Sequence, residues 1–168
     1  MNVEVQEHKI IVDMEYFTQQ LLSSITGIKE YHTPAVKECF QLEESSALDT
    51  QGQKTFHTIM AKLLCLAKQA RPDILTATSF LCTRVKQPTK NDQKKLLRVL
   101  GYLEATKHYK YTIAPMKPFG IITYIDAAFA THEDSMSHSE VAIFVAGVLV
   151  YNSSKKQACV AKVLQKVN

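Results

Sequence analysis

The chain has 168 residues, which allows one domain of ordinary size or two small ones packed together. Hydrophobic residues make up 46% and charged residues 21%, proportions that allow a packed core and exclude wholesale disorder. The net charge of +4 permits contact with phosphate groups but does not require it.

No targeting or membrane segment is predicted. The first residues carry acidic side chains and no apolar stretch typical of a signal peptide. The longest apolar run, Val141–Tyr151, is too short to span a bilayer as a helix. The four cysteines form no C-x-x-C pair and no zinc spacing, and Cys65 and Cys82 lie in apolar helical patterns that predict small buried thiols. We therefore expect reduced cysteines and an intracellular location, cytoplasmic or nuclear, without membrane contact.

The first quarter of the chain predicts strands and then a helix. Residues 2–12 are rich in β-branched side chains and read as a strand or a strand pair. Asp13 is a candidate N-cap for a helix with apolar residues at helical spacing, and Gly27 is its stop signal. Residues 28–53 are polar and turn-rich, as in a connecting segment.

Three helices are predicted next, with short connections. The first carries Phe56 to Ala67 on a broad apolar face, and the second opens at Pro72, a residue suited to a first helical turn. Thr89 introduces the third helix as its cap, with Asp92 three residues later in a capping-box position.

The remainder of the chain has strand character. Residues 108–113 form one predicted strand, and after Gly120 the segments IITYIDAAFA, SEVAIFVAG, VLVYNSS and ACVAK form others. Their nearly continuous apolar runs predict central strands covered on both faces. The fold class is therefore α+β, with a boundary near residue 117.

Asp126 is the sharpest candidate for chemistry. Alternation along the strand places it on the same face as Tyr124. A carboxylate in an apolar strand must be exposed, hydrogen-bonded or bound to a metal. Without further motifs, an aspartate that merely ends the strand is the more ordinary interpretation.

Several spaced motifs resemble copia-type (Ty1/copia) retrotransposon reverse transcriptases. In that family a helical stretch reads L-x-Y-L-A-x-x-x-R-P-D-I, then P-T, then R-x-L-x-Y-L-x-x-T. A ribonuclease H domain follows that begins with Y-x-D-A and continues with S-x-[ST]-G and S-S-K-[KQ]-Q. The matching positions here are Leu63, Leu64, Leu66, Ala67, Arg71-Pro72-Asp73-Ile74, Pro88-Thr89, Arg98, Leu100, Tyr102-Leu103, Thr106, Tyr124-Ile125-Asp126-Ala127, Ser137-His138-Ser139 and Ser153-Ser154-Lys155-Lys156-Gln157.

The resemblance implies a layout of three parts. Residues 1–53 would be the end of a palm and thumb segment, residues 54–117 a helical connection, and residues 118–168 an incomplete ribonuclease H-like antiparallel sheet. Asp126 would be the first metal-ligand aspartate, and the parent family uses Mg²⁺ to act on RNA–DNA hybrids or template–primer duplexes.

The departures from the family predict an inactive chain. The palm Y-x-D-D is absent, and the glutamate-bearing helix expected after Lys162 is replaced by Val163 to Asn168. Glu140 stands where the family has glycine. Two-metal hydrolysis requires several carboxylates around ions about 4 Å apart. We therefore expect no catalysis by this chain alone and no functionally bound Mg²⁺.

Basic residues are candidate contacts to nucleic acid. Lys94, Lys95 and Arg98 lie along the third helix, and Lys155 and Lys156 lie beyond the third nuclease strand. Either these residues bind phosphates of a duplex, or they form a solvated helix face and a solvated turn. A local ion pair or cap is the expected role of Arg71 and Asp73.

The apolar run Val141–Tyr151 needs a covering layer. If it stays bare, the surface becomes a site of self-association or of docking to another chain. Three hypotheses result: an inactive polymerase fragment, a non-catalytic nucleic-acid-binding module, and an interaction module. We also expect residues 54–107 to be better ordered than the C-terminal sheet.

Overall fold

A computed structural model describes residues 1–128 and 136–158. Within these ranges the chain forms two three-stranded antiparallel sheets and four α-helices, so the predicted α+β class is confirmed. In chain order the elements are β1 Asn2–Gln6, β2 Lys9–Asp13, α1 Glu15–Ser23, α2 Thr50–Gln69, α3 Leu75–Cys82, α4 Lys90–Ala105, β3 Tyr111–Ile113, β4 Ile121–Ala128, β5 His138–Val145 and β6 Val148–Lys156.

The first sheet joins the N-terminus to the strand that follows the helices. β1 and β2 form a hairpin, so the second of the two predicted alternatives, a strand pair, is the one present. β3 adds to β2 with Ile11 opposite Thr112. Lys110 forms an ion pair with Asp13 at 3.1 Å beside this junction. Strands separated by about a hundred residues in the chain thus pair in one sheet.

The helix starts follow local capping chemistry. The side chain of Asp49 accepts a hydrogen bond from Gly52 N at 2.7 Å and caps α2. Thr89 and Asp92 form the predicted capping box at the start of α4, because each side chain accepts from the other residue's backbone N–H. Asp13 accepts from Glu15 N at 2.7 Å, although the helix boundary itself falls at Met14.

One apolar core joins the N-terminal segment to the helices. Leu21 on α1 is as fully buried as Leu63 on α2 and Leu100 on α4. The proposed segments 1–53 and 54–117 therefore share a core. Its buried members are Val12, Met14, Leu21, Leu22, Phe56, Met60, Leu63, Leu66, Ala67, Ala70, Ile74, Leu75, Ala77, Leu81, Leu96, Val99, Leu100 and Leu103.

Gly101 allows the connecting segment to cross α4 at backbone contact. A Cβ atom at this position would lie 1.9 Å from the carbonyl oxygen of Lys29 and 2.7 Å from Cδ2 of Tyr31. Tyr31 N donates to Gly101 O at 3.3 Å across the same crossing. The glycine is therefore required by packing against residues 29–31.

The second sheet is the meander β4-β5-β6. Ala146 and Gly147 form the turn between β5 and β6, with φ of 49° and 77°. Positive φ at both central residues is typical of two-residue hairpin turns, and glycine adopts it without steric cost. A register shift between Ile143 and Phe144 leaves Val150 as an extra residue in β6.

The two parts of the molecule touch through α3 and β6, and Tyr111 donates a hydrogen bond to the carbonyl of Leu149. The prediction that the C-terminal strands are covered on both faces is wrong for β4, because β4 is an edge strand whose residues are all exposed. The predicted strand ACVAK lies largely outside the described residues.

Burial of the thiols also differs from expectation. Cys65 is exposed, because it lies on the outer face of α2, whereas Cys82 is half-buried. Burial raises the pKa of the Cys82 thiol above its ordinary value.

Candidate functional site

Asp126 lies on the face of the second sheet that is turned toward the helices. Its strand partner in β5 is Glu140, so two carboxylates stand directly opposite each other. The Asp126 carboxylate is exposed and accepts a hydrogen bond from Ala127 N at 2.8 Å. This placement satisfies the exposure that a carboxylate in an apolar strand requires.

Glu140 belongs to a hydrogen-bonded chain with two further residues. Ser154 Oγ donates to Glu140 Oε1 at 2.9 Å and lies 2.7 Å from His138 Nε2. A hydroxyl has a single proton, and Ser154 uses it in the hydrogen bond to Glu140. His138 must therefore be the donor in its hydrogen bond with Ser154. The neutral ring therefore carries its proton on Nε2, which makes it unsuited to remove a proton from Ser154.

The environment of His138 favours this neutral form. His138 is buried, and the cost of burying a charge lowers its pKa below the ordinary value, while the Glu140 carboxylate opposes that change. The cluster thus orients the Glu140 carboxylate through a neutral histidine and a serine.

A groove of about 400 Å³ lies between this face of the sheet and the helical part. Asp126, His138 and Glu140 line the sheet side. Phe40 and Phe80 line the opposite side, with ring centroids 5.4 Å apart in an edge-to-face pair. The groove therefore has an acidic wall and an aromatic wall.

The described residues of the acidic wall offer two carboxylates, Asp126 and Glu140. Within residues 1–128 and 136–158, no group of three or more His, Cys, Asp or Glu side chains is arranged to hold a metal ion. Glu140 already directs one oxygen to Ser154, and Asp126 directs one to its own neighbour's N–H. A two-ion hydrolytic centre needs more carboxylate ligands than this pair supplies.

The three candidate basic residues of α4 separate into one exposed lysine and two side chains that bond within the fold. Lys94 is exposed. Lys95 is 8% exposed, donates to the carbonyl of Gln41 and lies 5.6 Å from the centroid of Phe80. The helix face that bears Lys95 is therefore directed into the protein.

Arg98 is also engaged within the fold. Its guanidinium stacks 4.6 Å from the ring centroid of Tyr31 and donates to Thr33 Oγ1 at 2.9 Å. Both interactions hold the connecting segment on α4, close to the Gly101 crossing.

Lys155 and Lys156 belong to β6 and do not lie in a turn beyond it, contrary to the prediction. Lys155 is opposite Ser139, and Lys156 is opposite His138. Neighbouring residues of a strand point to opposite faces of the sheet, so these two ammonium groups cannot contact one ligand from the same side. Lys155 is the exposed member of the pair.

The cluster of His138, Glu140 and Ser154 was not predicted as a site. The two-residue turn alone would place Ser153 opposite Glu140. The extra residue Val150 shifts the register by one and brings Ser154 there instead. A serine pair on a predicted strand was the available signal, but the sequence does not reveal the bulge.

Among the described residues, the helices are all too short or too polar to cross a bilayer. Comparison of the chain with protein-family models, with curated proteins and with solved structures gave no match in any of the three.

Proposed function

We propose that this chain is a segment of a copia-type retrotransposon polymerase. It would comprise the reverse transcriptase connection and the start of ribonuclease H, and it would not hydrolyse RNA–DNA hybrids by itself. The order of elements supports this proposal, since a helical part is followed by an antiparallel meander with Asp126 on its first strand. The motifs quoted above occur in the same order.

The pairing of Asp126 with Glu140 carries the proposal of inactivity. Ionised carboxylates at directly opposed strand positions repel each other unless a cation lies between them. Here the Glu140 carboxylate is oriented by Ser154, and the described residues bring no third ligand to this pair. The geometry supports a hydrogen-bonded polar cluster of His138, Ser154 and Glu140 on this face of the sheet.

A hydrolysis assay tests the absence of catalysis. A labelled RNA–DNA hybrid is incubated with Mg²⁺ and either the unmodified chain or the Asp126→Asn variant. We expect equal, background levels of product from both. Cleavage by the unmodified chain that Asp126→Asn abolishes would show that the proposal is wrong.

A non-catalytic role in nucleic-acid binding is the second candidate. It is favoured by the exposure of Lys94 on α4 and of Lys155 on β6. Binding through lysines is largely electrostatic, so the affinity for a hybrid duplex should fall steeply as salt rises.

Charge-reversal variants distinguish a loss of affinity caused by particular lysine contacts from one caused by the lower net charge. Lys94→Glu and Lys155→Glu should each weaken binding in fluorescence anisotropy and reduce the salt slope by roughly one unit per lost phosphate contact. Lys54→Glu, at an exposed position of α2, changes the net charge equally and serves as control. Equal losses in all three variants would contradict a defined interface.

A further inference from the structure

Among the residues that the structure describes, β4 has a strand partner on one side only, and its free edge is apolar. It lies at the end of the strand order β4-β5-β6, and Ile121, Ile122, Tyr124 and Ile125 are 67%, 54%, 62% and 76% exposed. Apolar side chains on both faces of one edge strand form a surface of the kind that takes up another strand.

The free hydrogen-bonding groups of this edge can be assigned to particular residues. Ala146 N donates to Gly120 O at 2.8 Å, which makes these two residues a hydrogen-bonded pair just before β4. Because such pairs alternate along an antiparallel ladder, even-numbered residues of β4 bond to β5. The N–H and C=O groups of Ile121, Thr123 and Ile125 therefore point outward, whereas the outward N–H of Ala127 already donates to the Asp126 carboxylate.

The usual protections of an edge are absent from Ile121–Ile125, the part of β4 that precedes its charged residue, Asp126. The strand contains no lysine and no proline, and its register with β5 runs without a bulge. β1, the exposed edge of the first sheet, differs because it alternates Glu4 and Gln6 with its two valines. Of these two edges, β4 is the one suited to pairing.

We propose that β4 pairs antiparallel with β4 of a second copy of this chain, about a two-fold axis at Thr123. This register places Ile121 opposite Ile125 of the second copy, Ile122 opposite its Tyr124, and Thr123 opposite itself. Cross-strand pairs of an aromatic with a β-branched residue, and of two threonines, are favourable. About six backbone hydrogen bonds form between the outward groups, and the two sheets become one sheet of six strands.

The charge of Asp126 favours the register with the axis at Thr123 over the register with the axis at Ile125. With the axis at Thr123, each Asp126 lies opposite Gly120 of the second copy, and the two Asp126 residues are roughly 20 Å apart by strand geometry. An axis at Ile125 would bring the same two residues to roughly 8 Å. Repulsion between the carboxylates therefore disfavours the shifted pairing.

With the axis at Thr123, the paired part of β4 is Ile121–Ile125, roughly 17 Å long, which is at the small end of protein interfaces. The dimer should therefore dissociate on dilution. This inference is independent of the proposed polymerase origin, since it uses only the geometry and composition of β4.

Sedimentation velocity across a wide range of concentrations tests the dimer. Ile125→Lys places a charge on the pairing edge, and Val5→Lys is its matched control, because Val5 is 75% exposed on the edge strand of the other sheet. Thr123→Pro removes an outward N–H without removing a bond to β5. We expect a concentration-dependent dimer for the unmodified chain and Val5→Lys, and a monomer for both β4 variants.

Hydrogen exchange supplies a second measurement that does not depend on a variant. The amides of Thr123 and Ile125 should exchange more slowly at high than at low protein concentration, while the β5-bonded amides of Ile122 and Tyr124 should change little. A chain that stays monomeric throughout overturns the proposal. A dimer that survives both β4 substitutions, or one that Val5→Lys dissociates equally, also overturns it.

Discussion

Arg71 donates two hydrogen bonds to Thr106, one to its carbonyl oxygen at 3.0 Å and one to its Oγ1 at 2.7 Å. The same guanidinium pairs with Asp73 at 2.7 Å and lies between the rings of Tyr102 and Tyr109, 5.4 and 5.5 Å from their centroids. Arg71 thus ties the turn before α3 to the end of α4, and it is 3% exposed. The expected local ion pair exists, and it is part of a larger clamp.

Replacement of Arg71 should destabilise the helical part strongly. Arg71→Lys keeps the charge but loses the planar fork that bonds Asp73 and Thr106 together. We expect Arg71→Ala to lower the free energy of unfolding by about 3 kcal/mol, and Arg71→Lys to recover only part of that loss. Urea denaturation measures both, with Lys68→Ala on the exposed face of α2 as control. Arg71→Lys with unchanged stability would contradict the clamp.

Gly101→Ala should destabilise the protein although alanine is the better helix former. The added Cβ would overlap the backbone carbonyl of Lys29, so the crossing segment must move. Intrinsic propensity would favour alanine by about 1 kcal/mol. We expect instead a net loss of about 2 kcal/mol in thermal or urea unfolding. Gln93→Ala, at an exposed position of the same helix, should change stability by less than about 0.5 kcal/mol.

Substitution of Lys95 should lower the stability of the protein, whereas substitution of Lys94 should not. Lys95→Ala removes a buried ammonium that bonds the carbonyl of Gln41 and lies over the ring of Phe80. A loss of about 1.5 to 3 kcal/mol in unfolding free energy is expected. Lys94→Ala should leave stability unchanged within about 0.5 kcal/mol and affect only binding to a hybrid duplex. Similar stability changes in the two variants would contradict the assigned roles.

The stability of the second sheet should fall in mild acid. The pKa of His138 is lower in the folded protein than its ordinary value of 6.5, because burial disfavours the charged ring. As the pH falls, the unfolded chain therefore binds a proton at His138 before the folded protein does. The stability that the neutral, buried His138 contributes is complete above pH 6.5 and is lost as the pH falls below that value. Unfolding measured at several pH values, with His138→Gln as the variant that removes this dependence, tests the sign.

Glu140 affects the pKa of His138. Its carboxylate favours the protonated ring, so Glu140→Gln should lower the pKa of His138 further. NMR titration of the His138 ring measures the change directly. A rise of that pKa in Glu140→Gln would exclude the hydrogen-bonded arrangement through Ser154.

Local chemistry in the sequence predicted several features correctly. The capping box of Thr89 and Asp92 depends on residues three positions apart, and it forms as predicted. The α+β class follows from the change of period near residue 108, since side-chain alternation and helical spacing are both short-range patterns. Asp126 and Tyr124 share one face of β4 for the same reason, since both belong to one regular strand.

Features that depend on distant partners were not predictable from such patterns. The pairing of β3 with the N-terminal hairpin, and the exposure of β4, follow from which strands meet in space. Both alternatives that the sequence offers for Lys95, a phosphate contact and a solvated helix face, require exposure, but Lys95 is buried and bonds the carbonyl of Gln41.

The sequence by itself determined most of the helices and strands, the capping box of α4 and the carboxylate at Asp126, because these depend on neighbours within about four residues. The tertiary structure decided the cluster of His138, Glu140 and Ser154, since one extra residue at Val150 sets the register of β6. It also decided which cations remain exposed and which strand edge stays open. Those outcomes depend on contacts between segments far apart in the chain, and such contacts leave no periodic trace in the sequence.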